Sequence, residues 1–314
     1  MRKLLPLALT ALLAVTACQS GAGGDGAADD ARGLNTMDSL PLQAYLPDQE
    51  SGGTKAIDRA QWILTGRCML RLGFTGFQTF DVRSVESTYP VRQGTATGSS
   101  KVGDDTPYGA DDPDLAAEYG YHKRPAEEPT ERPLEWPADQ YAALTGRFES
   151  GDSHRAHGNP IPDGGCLGEA NRKLYGSGPA PAEIGGIRIT GYYTVVMKLW
   201  SDARARAMRD PAWKKADRAW ATCMKDKGLR YADPDKASTD IDWVRTEKPS
   251  AKEKETAAAD ARCKLDTGYI EAVHAVETRA QRAAIDENTK VLEGRRAVQE
   301  RALATARQVI AEAS

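Results

Sequence analysis

Residues 217–228 read Asp-Arg-Ala-Trp-Ala-Thr-Cys-Met-Lys-Asp-Lys-Gly, an apolar helical run that a glycine ends. Residues 58–73 follow a similar plan, because Cys-Met is again followed by three residues and a glycine. Each copy has one more cysteine downstream, in the pattern Asp-x2-Cys, at Asp163–Cys166 and at Asp260–Cys263. The repeat predicts a mainly α protein made of two disulfide-stapled helical halves, residues 51–183 and 184–314.

The N-terminus has the features of a signal peptide. Arg2 and Lys3 precede an apolar stretch of 12 residues from Leu4 to Val15, which is too short to span a bilayer as a helix. Val15-Thr16-Ala17-Cys18 then resembles a bacterial lipobox, whose cysteine is diacylated and becomes the first residue of the mature protein. We therefore expect residues 1–17 to be a lipoprotein signal peptide and Cys18 to be the lipid attachment site, at the outer face of the cytoplasmic membrane. A secreted protein cleaved after Ala17 is the alternative.

The charge of the chain is close to balanced. It has 42 basic and 45 acidic residues, a net charge of −3 at pH 7. Such a surface argues against nucleic acid or an anionic lipid surface as the partner. No segment after the signal region is apolar for long enough to span a bilayer.

Four cysteines remain once Cys18 is assigned to lipid. An even number in an oxidising compartment predicts disulfides, and four cysteines allow three pairings. The repeat favours Cys68–Cys166 and Cys223–Cys263. A zinc site would need closely spaced ligand pairs, which these cysteines lack, so we expect no metal and no cofactor.

Helical periodicity and end signals place most of the helices. We expect residues 18–50 to begin as a flexible tether, with a coil over 19–33 that reaches about 20 Å. Residues 74–85 would form a strand or an extended segment, and much of 86–165 and of 229–249 would be irregular loop, tied down in the first half by a disulfide. The expected helices are 54–72, 114–119, 138–145, 167–175, 192–209 and the segment between Pro211 and Gly228.

The C-terminal region is predicted to be a long helix. Ser250 and Glu253 form a capping box, and no proline follows. A continuous helix of about 60 residues would measure about 90 Å, so it should pack on itself, bind a partner or bend near Gly294. Its apolar stripe, which Asn288 and Arg295 interrupt, favours a bent helix or helical arm over a coiled-coil zipper.

No catalytic motif is present in the sequence. His154-Arg-Ala-His157 has a ligand-like spacing, but it lies in a loop and lacks the intervening Glu of a zinc-peptidase helix. The acidic runs do not match a calcium loop, which leaves turn and cap roles as the better interpretation; they are Asp104-Asp105, Asp111 to Asp114, and Asp233 to Asp242. Trp200, Trp213 and Trp220 are expected in the core rather than on a ligand platform.

Several of these motifs together resemble a group of actinobacterial lipoproteins with no assigned activity. The likeness covers most of residues 54–270, and it rests on the lipobox, on the Cys-Met-x3-Gly repeats and on two further stretches. These are Tyr108-Gly-Ala-Asp with Ala-Glu-Tyr-Gly-Tyr121, and Pro162-Asp-Gly-Gly-Cys-Leu-Gly-Glu-Ala170. The resemblance implies an envelope lipoprotein and assigns no catalytic residue.

Two functions follow as hypotheses. The first is a membrane-anchored, non-enzymatic binding or accessory protein of the cell envelope, which contacts a membrane protein or the cell wall through its C-terminal helix. The alternative is a cell-wall hydrolase or other envelope enzyme that uses carboxylates of the 104–163 loops. A solute-binding protein ranks third, because the strand–helix alternation of such folds is missing.

Overall fold

A computed structural model describes residues 24–46, 51–81, 90–94, 106–124, 135–176, 181–189 and 192–313. Residues 1–17, which the sequence predicts to be a signal peptide, and Cys18 lie outside these residues. The described chain is mainly helical, as predicted, with two disulfides and a long C-terminal helix. Among the described helices, none combines the length and the apolar character needed to cross a membrane.

The α-helices are numbered along the chain. They are α1 (Gly24–Leu34), α2 (Gly52–Arg71), α3 (Pro113–Tyr119), α4 (Ala138–Thr145), α5 (Gly165–Tyr175), α6 (Tyr192–Ala207), α7 (Pro211–Asp226), α8 (Pro234–Ser238), α9 (Ile241–Val244), α10 (Ala251–Asp266) and α11 (Tyr269–Ala311). Short 3-10 helices cover Met37–Ser39, Pro41–Tyr45 and Thr75–Gln78. The helices α2 to α7 confirm the predicted positions to within about two residues.

The strands are short and form three separate pairs. They are β1 (Val91–Arg92) parallel to β2 (Glu135–Trp136), β3 (Arg155–Ala156) antiparallel to β4 (Asn159–Pro160), and β5 (Ala182–Ile184) antiparallel to β6 (Ile187–Ile189). In register, Val91 faces Glu135, Ala156 faces Asn159 and Ile184 faces Ile187. The β5–β6 pair contributes Ala182, Ile184 and Ile189 to a buried cluster with α6, and most other core residues lie on helices.

Three predicted irregular regions are wrong in part. Residues 24–34 form α1 instead of a coil, and α1 buries Ala31 against the second half. Residues 229–249 contain α8 and α9, whose first turns are capped by the carboxylates of Asp233 and Asp240. Residues 75–78 form a 3-10 helix instead of a strand, and 82–85 lie outside the described residues. Side-chain caps supplied helical ends that the apolar pattern did not signal.

The C-terminal region breaks and bends at positions other than the one predicted. The helix ends at Asp266, and Gly268 takes a left-handed conformation with φ of 60° before α11 begins. Within α11 the bend lies at Asn288, whose side-chain amide donates to the carbonyl of Ala284 at 2.8 Å, and Gly294 stays helical. A side chain that bonds to the preceding turn is a recognised cause of a kink.

Helix α11 packs along the molecule instead of leaving it as an arm. It contacts α7 near its start, α6 along its middle, and α2 and α5 near its end. Arg295, which interrupts the apolar stripe in the sequence, is also buried. The apolar stripe of α11 therefore packs in the interior of the protein.

The two halves of the sequence do not have separate cores. The cluster around Trp220 and Trp243 includes Ala31, Tyr108 and Tyr121 from the first part of the chain. Conversely, the end of α11 completes a cluster between α2 and α5, formed by Ile57, Ala60, Leu64, Ala170, Leu174, Ala302, Ala306 and Val309. The chain thus folds as two interlocked halves.

The two disulfides are the predicted pairs. Cys68–Cys166 joins α2 to the first turn of α5 across 98 residues, with 5.5 Å between the Cα atoms. Cys223–Cys263 joins α7 to α10 across 40 residues, with 5.7 Å between the Cα atoms. Chain-entropy arguments give about 4 to 5 kcal/mol of stabilisation for each loop.

Candidate functional site

A cleft of about 850 Å³ separates residues 106–124, which we call the 106–124 segment, from the ends of α6, α7 and α8. Leu115 of the segment and Met208 of the opposite wall line it, each with 36% of its surface exposed. Exposed Lys123 and Arg124 lie on the segment side, and exposed Asp235 lies on the α8 side. The cleft therefore offers apolar surface together with charges of both signs.

Asn35 holds the beginning of the 106–124 segment. Its side-chain amide donates to the carbonyl of Gly109 and to Asp111 Oδ2, each at 2.9 Å, and its oxygen accepts from Tyr108 N at 2.9 Å. Arg204 Nη2 donates to the carbonyl of Pro107 at 2.7 Å. These bonds satisfy backbone groups of a stretch that has few aliphatic residues to bury.

A buried ion pair on α10 lies beneath the segment. Asp260 Oδ2 accepts from Lys264 Nζ at 3.1 Å and from the Tyr121 hydroxyl at 3.2 Å, while Oδ1 accepts from Trp220 Nε1 at 2.9 Å. Lys264 Nζ also donates to the carbonyl of Ala110 at 3.0 Å. Asp260 and Lys264 are almost inaccessible to solvent, and both belong to one face of α10.

Burial is the main cause of the pKa shifts of Asp260 and of its neighbour Tyr121. It raises the pKa of the Asp260 carboxyl, and the neighbouring Lys264 ammonium acts in the opposite direction. Burial also raises the pKa of the Tyr121 hydroxyl, and the nearby Asp260 carboxylate adds to that effect. Tyr121 therefore stays protonated and available as the donor to Asp260.

A second buried pair holds the end of the segment. Glu253 Oε1 accepts from Tyr121 N at 2.9 Å and lies 2.7 Å from His122 Nδ1, and His122 Nε2 lies 3.0 Å from the carbonyl of Thr246. That carbonyl can only accept, so Nε2 carries a hydrogen. Gly120 is required here, because a Cβ would lie 2.6 Å from Glu253 Oε1 and φ is 64°.

Further ionic contacts lie on the opposite wall and behind it. Tyr269 donates to Asp217 at 3.1 Å, and Lys214 contacts the same carboxylate at 3.2 Å. Arg204 Nη1 donates at 2.8 Å to Glu277, which is inaccessible to solvent, and the guanidinium lies 5.5 Å from the ring centre of Trp213. The buried carboxylates Asp217 and Glu277 are thus engaged by other protein groups.

Those residues singled out in the sequence that the structure describes take part in packing, helix capping or hydrogen bonds within the protein. His154 is exposed and stacks on Phe148, and no group of three or more metal-ligating side chains forms among the described residues. Asp104 and Asp105 lie outside those residues. Asp112 caps α3, Asp111 accepts from Asn35, and His274 is partly buried with Nε2 3.2 Å from the Ser39 carbonyl. Trp200, Trp213 and Trp220 are buried, and the Ser250–Glu253 capping box is present, as predicted.

Sequence reasoning missed most of the buried charge. Asp260 was recognised only as part of Asp-x2-Cys, and its spacing of four from Lys264 was the available signal for a helical ion pair. Glu253 was recognised as a cap, without its second contact to His122. Arg204 and Glu277 are 73 positions apart, so no local pattern could have paired them.

No family model matches the chain, and no curated protein or solved structure matches it either.

Proposed function

We propose that this protein is a lipid-anchored, extracytoplasmic lipoprotein that acts as a non-enzymatic binding or accessory protein of the cell envelope, with the cleft as its contact site. The lipobox at Cys18 and the resemblance to actinobacterial lipoproteins support the anchor. The two disulfides support an oxidising compartment outside the cytoplasm.

The observation that carries the binding role is that one set of residues holds the cleft wall in place and another set forms its accessible surface. Asp260, Lys264 and Glu253 are buried and hydrogen-bonded to the 106–124 segment, so they hold the wall in place. The accessible surface at the mouth is formed by other residues, among them Leu115 and Met208. A rigid wall with mixed apolar and charged surface suits recognition of a ligand or partner segment.

The C-terminal helix α11 contributes its outer face to this proposal as a second contact surface. Its apolar stripe packs against α2 and α5, so a partner would contact its outer face. Glu293, Glu300 and Arg301 are exposed there. Removal of residues 295–314 would expose the core beneath Ala302 and Val309, so point substitutions are the better probes of contact.

The test is site-specific photo-cross-linking in intact cells that express the full chain with Cys18. A photoreactive residue at Leu115 or Met208 should give a discrete cross-linked product, and one at Glu300 tests the outer face of α11. Ile241 is the matched control, since it is 53% exposed and lies outside the cleft lining. Identical products at the cleft positions and at Ile241 would refute the cleft as contact site.

The anchor is tested separately in the same cells. Cys18→Ser should move the protein from the membrane fraction to the soluble fraction, because no acyl chains would be attached. Retention of this variant in the membrane would refute the lipid anchor while leaving the cleft experiment interpretable.

The enzyme alternative has one favourable observation, which is that Asp111 and Asp112 of the 104–163 loops line the cleft. A hydrolase would release soluble fragments from purified cell wall, and Asp112→Asn should abolish that release. Fragment release by the unmodified chain would replace the binding role with this second function.

A further inference from the structure

The exposed side of α7 carries a patch of positive charge, which we call the α7 basic face. Its cations are all exposed, and none forms an ion pair with any residue that the structure describes. They are Lys215, Arg218 and Lys225 on the helix, and Lys227 and Arg230 just beyond its end. Asp226 is the one exposed acid of residues 211–230, since Asp217 is buried. Five cations therefore face solvent against one carboxylate.

The helical repeat gathers these charges on one side of α7. Lys215, Arg218 and Lys225 follow one another at spacings of three and seven, which return to the same face of a helix. The opposite face buries Trp220 and Met224, so core packing fixes the direction of the charged face. The helix rises about 15 Å from Lys215 to Lys225. Neighbouring charges are thus separated by about one Debye length or less at 0.1 M salt, and they act together on an opposing surface.

The overall charge of the chain conceals this patch. A net charge of −3 over all residues argued against an anionic lipid surface as a partner. At physiological salt, however, the Debye length is about 8 Å. A surface in contact with the α7 basic face would therefore interact with the local cations, while acids on other sides of the protein are screened. Folding creates a cationic surface that the composition does not reveal.

The N-terminus connects this end of the molecule to the position of the proposed anchor. Helix α1 begins at Gly24, six residues after Cys18, and a chain of six residues spans at most about 20 Å. Ala31 of α1 is buried in the same cluster as Trp213 and Trp220 of α7. The α7 basic face therefore belongs to the end of the molecule that an anchor at Cys18 would hold close to the membrane.

We propose that the α7 basic face lies against the anionic headgroups of a phospholipid membrane. The choice of a lipid surface rests on the proposed anchor at Cys18, whereas the choice of an anionic partner rests on the charges of the face. Each lysine or arginine close to such a surface raises membrane partitioning about fivefold. Attachment at a single point does not fix how a protein is oriented. The basic face would supply a second contact and fix the orientation.

The test is lysine footprinting of residues 18–314 on vesicles. Cys18 is the one cysteine of five outside the two disulfides, so its thiol can be coupled to a maleimide lipid. The vesicles contain phosphatidylcholine, either alone or mixed equally with phosphatidylglycerol. Acetylation of each lysine is followed by mass spectrometry. In 0.1 M NaCl, Lys215 and Lys225 should react about fivefold more slowly on the anionic vesicles. Lys173 and Lys290 are exposed on other helices and should react equally on both.

Variants show whether the charges of the face cause the protection. Charge reversal should remove the protection of Lys227, which stays in place as the reporter, in Lys215→Glu/Arg218→Glu/Lys225→Glu. The matched control reverses three exposed charges of α11 and should keep that protection, in Arg282→Glu/Lys290→Glu/Arg301→Glu. Circular dichroism should show that both variants are folded, because every substituted side chain is exposed. Equal reactivity of Lys215 on the two kinds of vesicle would overturn the proposal.

Salt and a soluble polyanion separate this contact from other causes. In 1 M NaCl the Debye length is about 3 Å, so the protection should disappear while the coupled protein stays on the vesicle. Protection by soluble polyphosphate but not by anionic vesicles would assign the face to an anionic polymer and overturn the lipid contact. Because chemical coupling replaces the acyl chains, the result does not depend on lipidation of Cys18 in cells. The basic face would itself retain Cys18→Ser at low salt, so its membrane fraction is washed in 1 M NaCl before the anchor is judged.

Discussion

The two Cys-Met-x3-Gly copies end their helices in the same way. Gly73 and Gly228 have φ of 99° and 82°, and the next amide donates to the methionine carbonyl, from Phe74 to Met69 at 3.1 Å and from Leu229 to Met224 at 3.0 Å. Each glycine amide also donates to the carbonyl three residues earlier. These bonds define a Schellman cap, with the methionine buried beneath it in both copies.

Beyond the caps, the two copies have different surroundings. His157 covers Gly73, whereas a Cβ added to Gly228 would meet no described atom within 4 Å. Cys166 lies in the first turn of α5, whereas Cys263 lies near the end of α10. The Asp-x2-Cys likeness is therefore not a structural repeat. A short motif determines a local cap, and the rest of the chain determines what packs on it.

The cores around the two disulfides also differ in chemistry. The first contains an aromatic cluster that includes Trp62 and Trp136, next to a close approach of backbones at Gly165, where a Cβ would lie 2.4 Å from the Leu144 carbonyl oxygen. The second contains the Asp260–Lys264 pair. Packing holds the first together, and hydrogen-bonded charge contributes to the second.

Loss of the buried Lys264 ammonium should lower the stability of the protein more than the other changes proposed here. Lys264→Met removes the ammonium that neutralises the buried Asp260 carboxylate and donates to the Ala110 carbonyl, so the free energy of unfolding should fall by about 3–5 kcal/mol. Urea unfolding monitored by circular dichroism measures it. Lys252→Met on the same helix is the control, because its pair with Asp242 is exposed and should cost below about 1 kcal/mol. Equal losses in the two variants would contradict a special role for the buried pair.

The two cap glycines should differ by a smaller amount. Gly228→Ala places a Cβ at positive φ in open space, which should cost about 1–2 kcal/mol. Gly73→Ala has the same backbone cost and a clash with the His157 ring, so its loss of stability should be greater. Urea unfolding of both variants tests this. The double variant Gly73→Ala/His157→Ala should lose the excess, and equal costs for the two single variants would show that the surroundings of the caps do not matter.

The smallest expected effect concerns an ion pair of the first half. The Arg92 guanidinium holds the pKa of the Asp152 carboxyl below its ordinary value of 3.8, helped by the backbone amide of Glu149. Because the folded pKa is lowered, this contact stabilises the protein above pH about 3.8, and the stabilisation is lost as pH falls through the folded pKa. Carboxyl-carbon NMR should show the Asp152 pKa rising in Arg92→Gln. Arg71→Gln should leave it unchanged, and a shift there would point to a general charge effect.

Helices α2 to α7 could be predicted because their signals are local sequence patterns. The disulfide pairs could be predicted from the number of cysteines and their repeated spacing. Apolar spacing marked α2, Asp210-Pro211 marked the start of α7, and an even set of four cysteines with a repeat indicated the pairing. The bend at Asn288 was missed because a side-chain bond to Ala284 causes it, and many helical asparagines make no such bond. Gly294 stays helical because a single glycine costs a helix only about 1 kcal/mol. Packing of the buried α11 residues before and after Gly294 can offset that cost.

By itself, the sequence determined the helical class, the two caps, the capping box and the cysteine pairs, because each depends on neighbouring residues or on a count. Only the tertiary structure decided that the 106–124 segment rests on α10, that Arg204 meets Glu277, and that the end of α11 completes the first half. It also brought His157 onto Gly73 and next to Asp139. These contacts join residues far apart in the chain, and their energy comes from burial and charge pairing that exist only once the helices have packed.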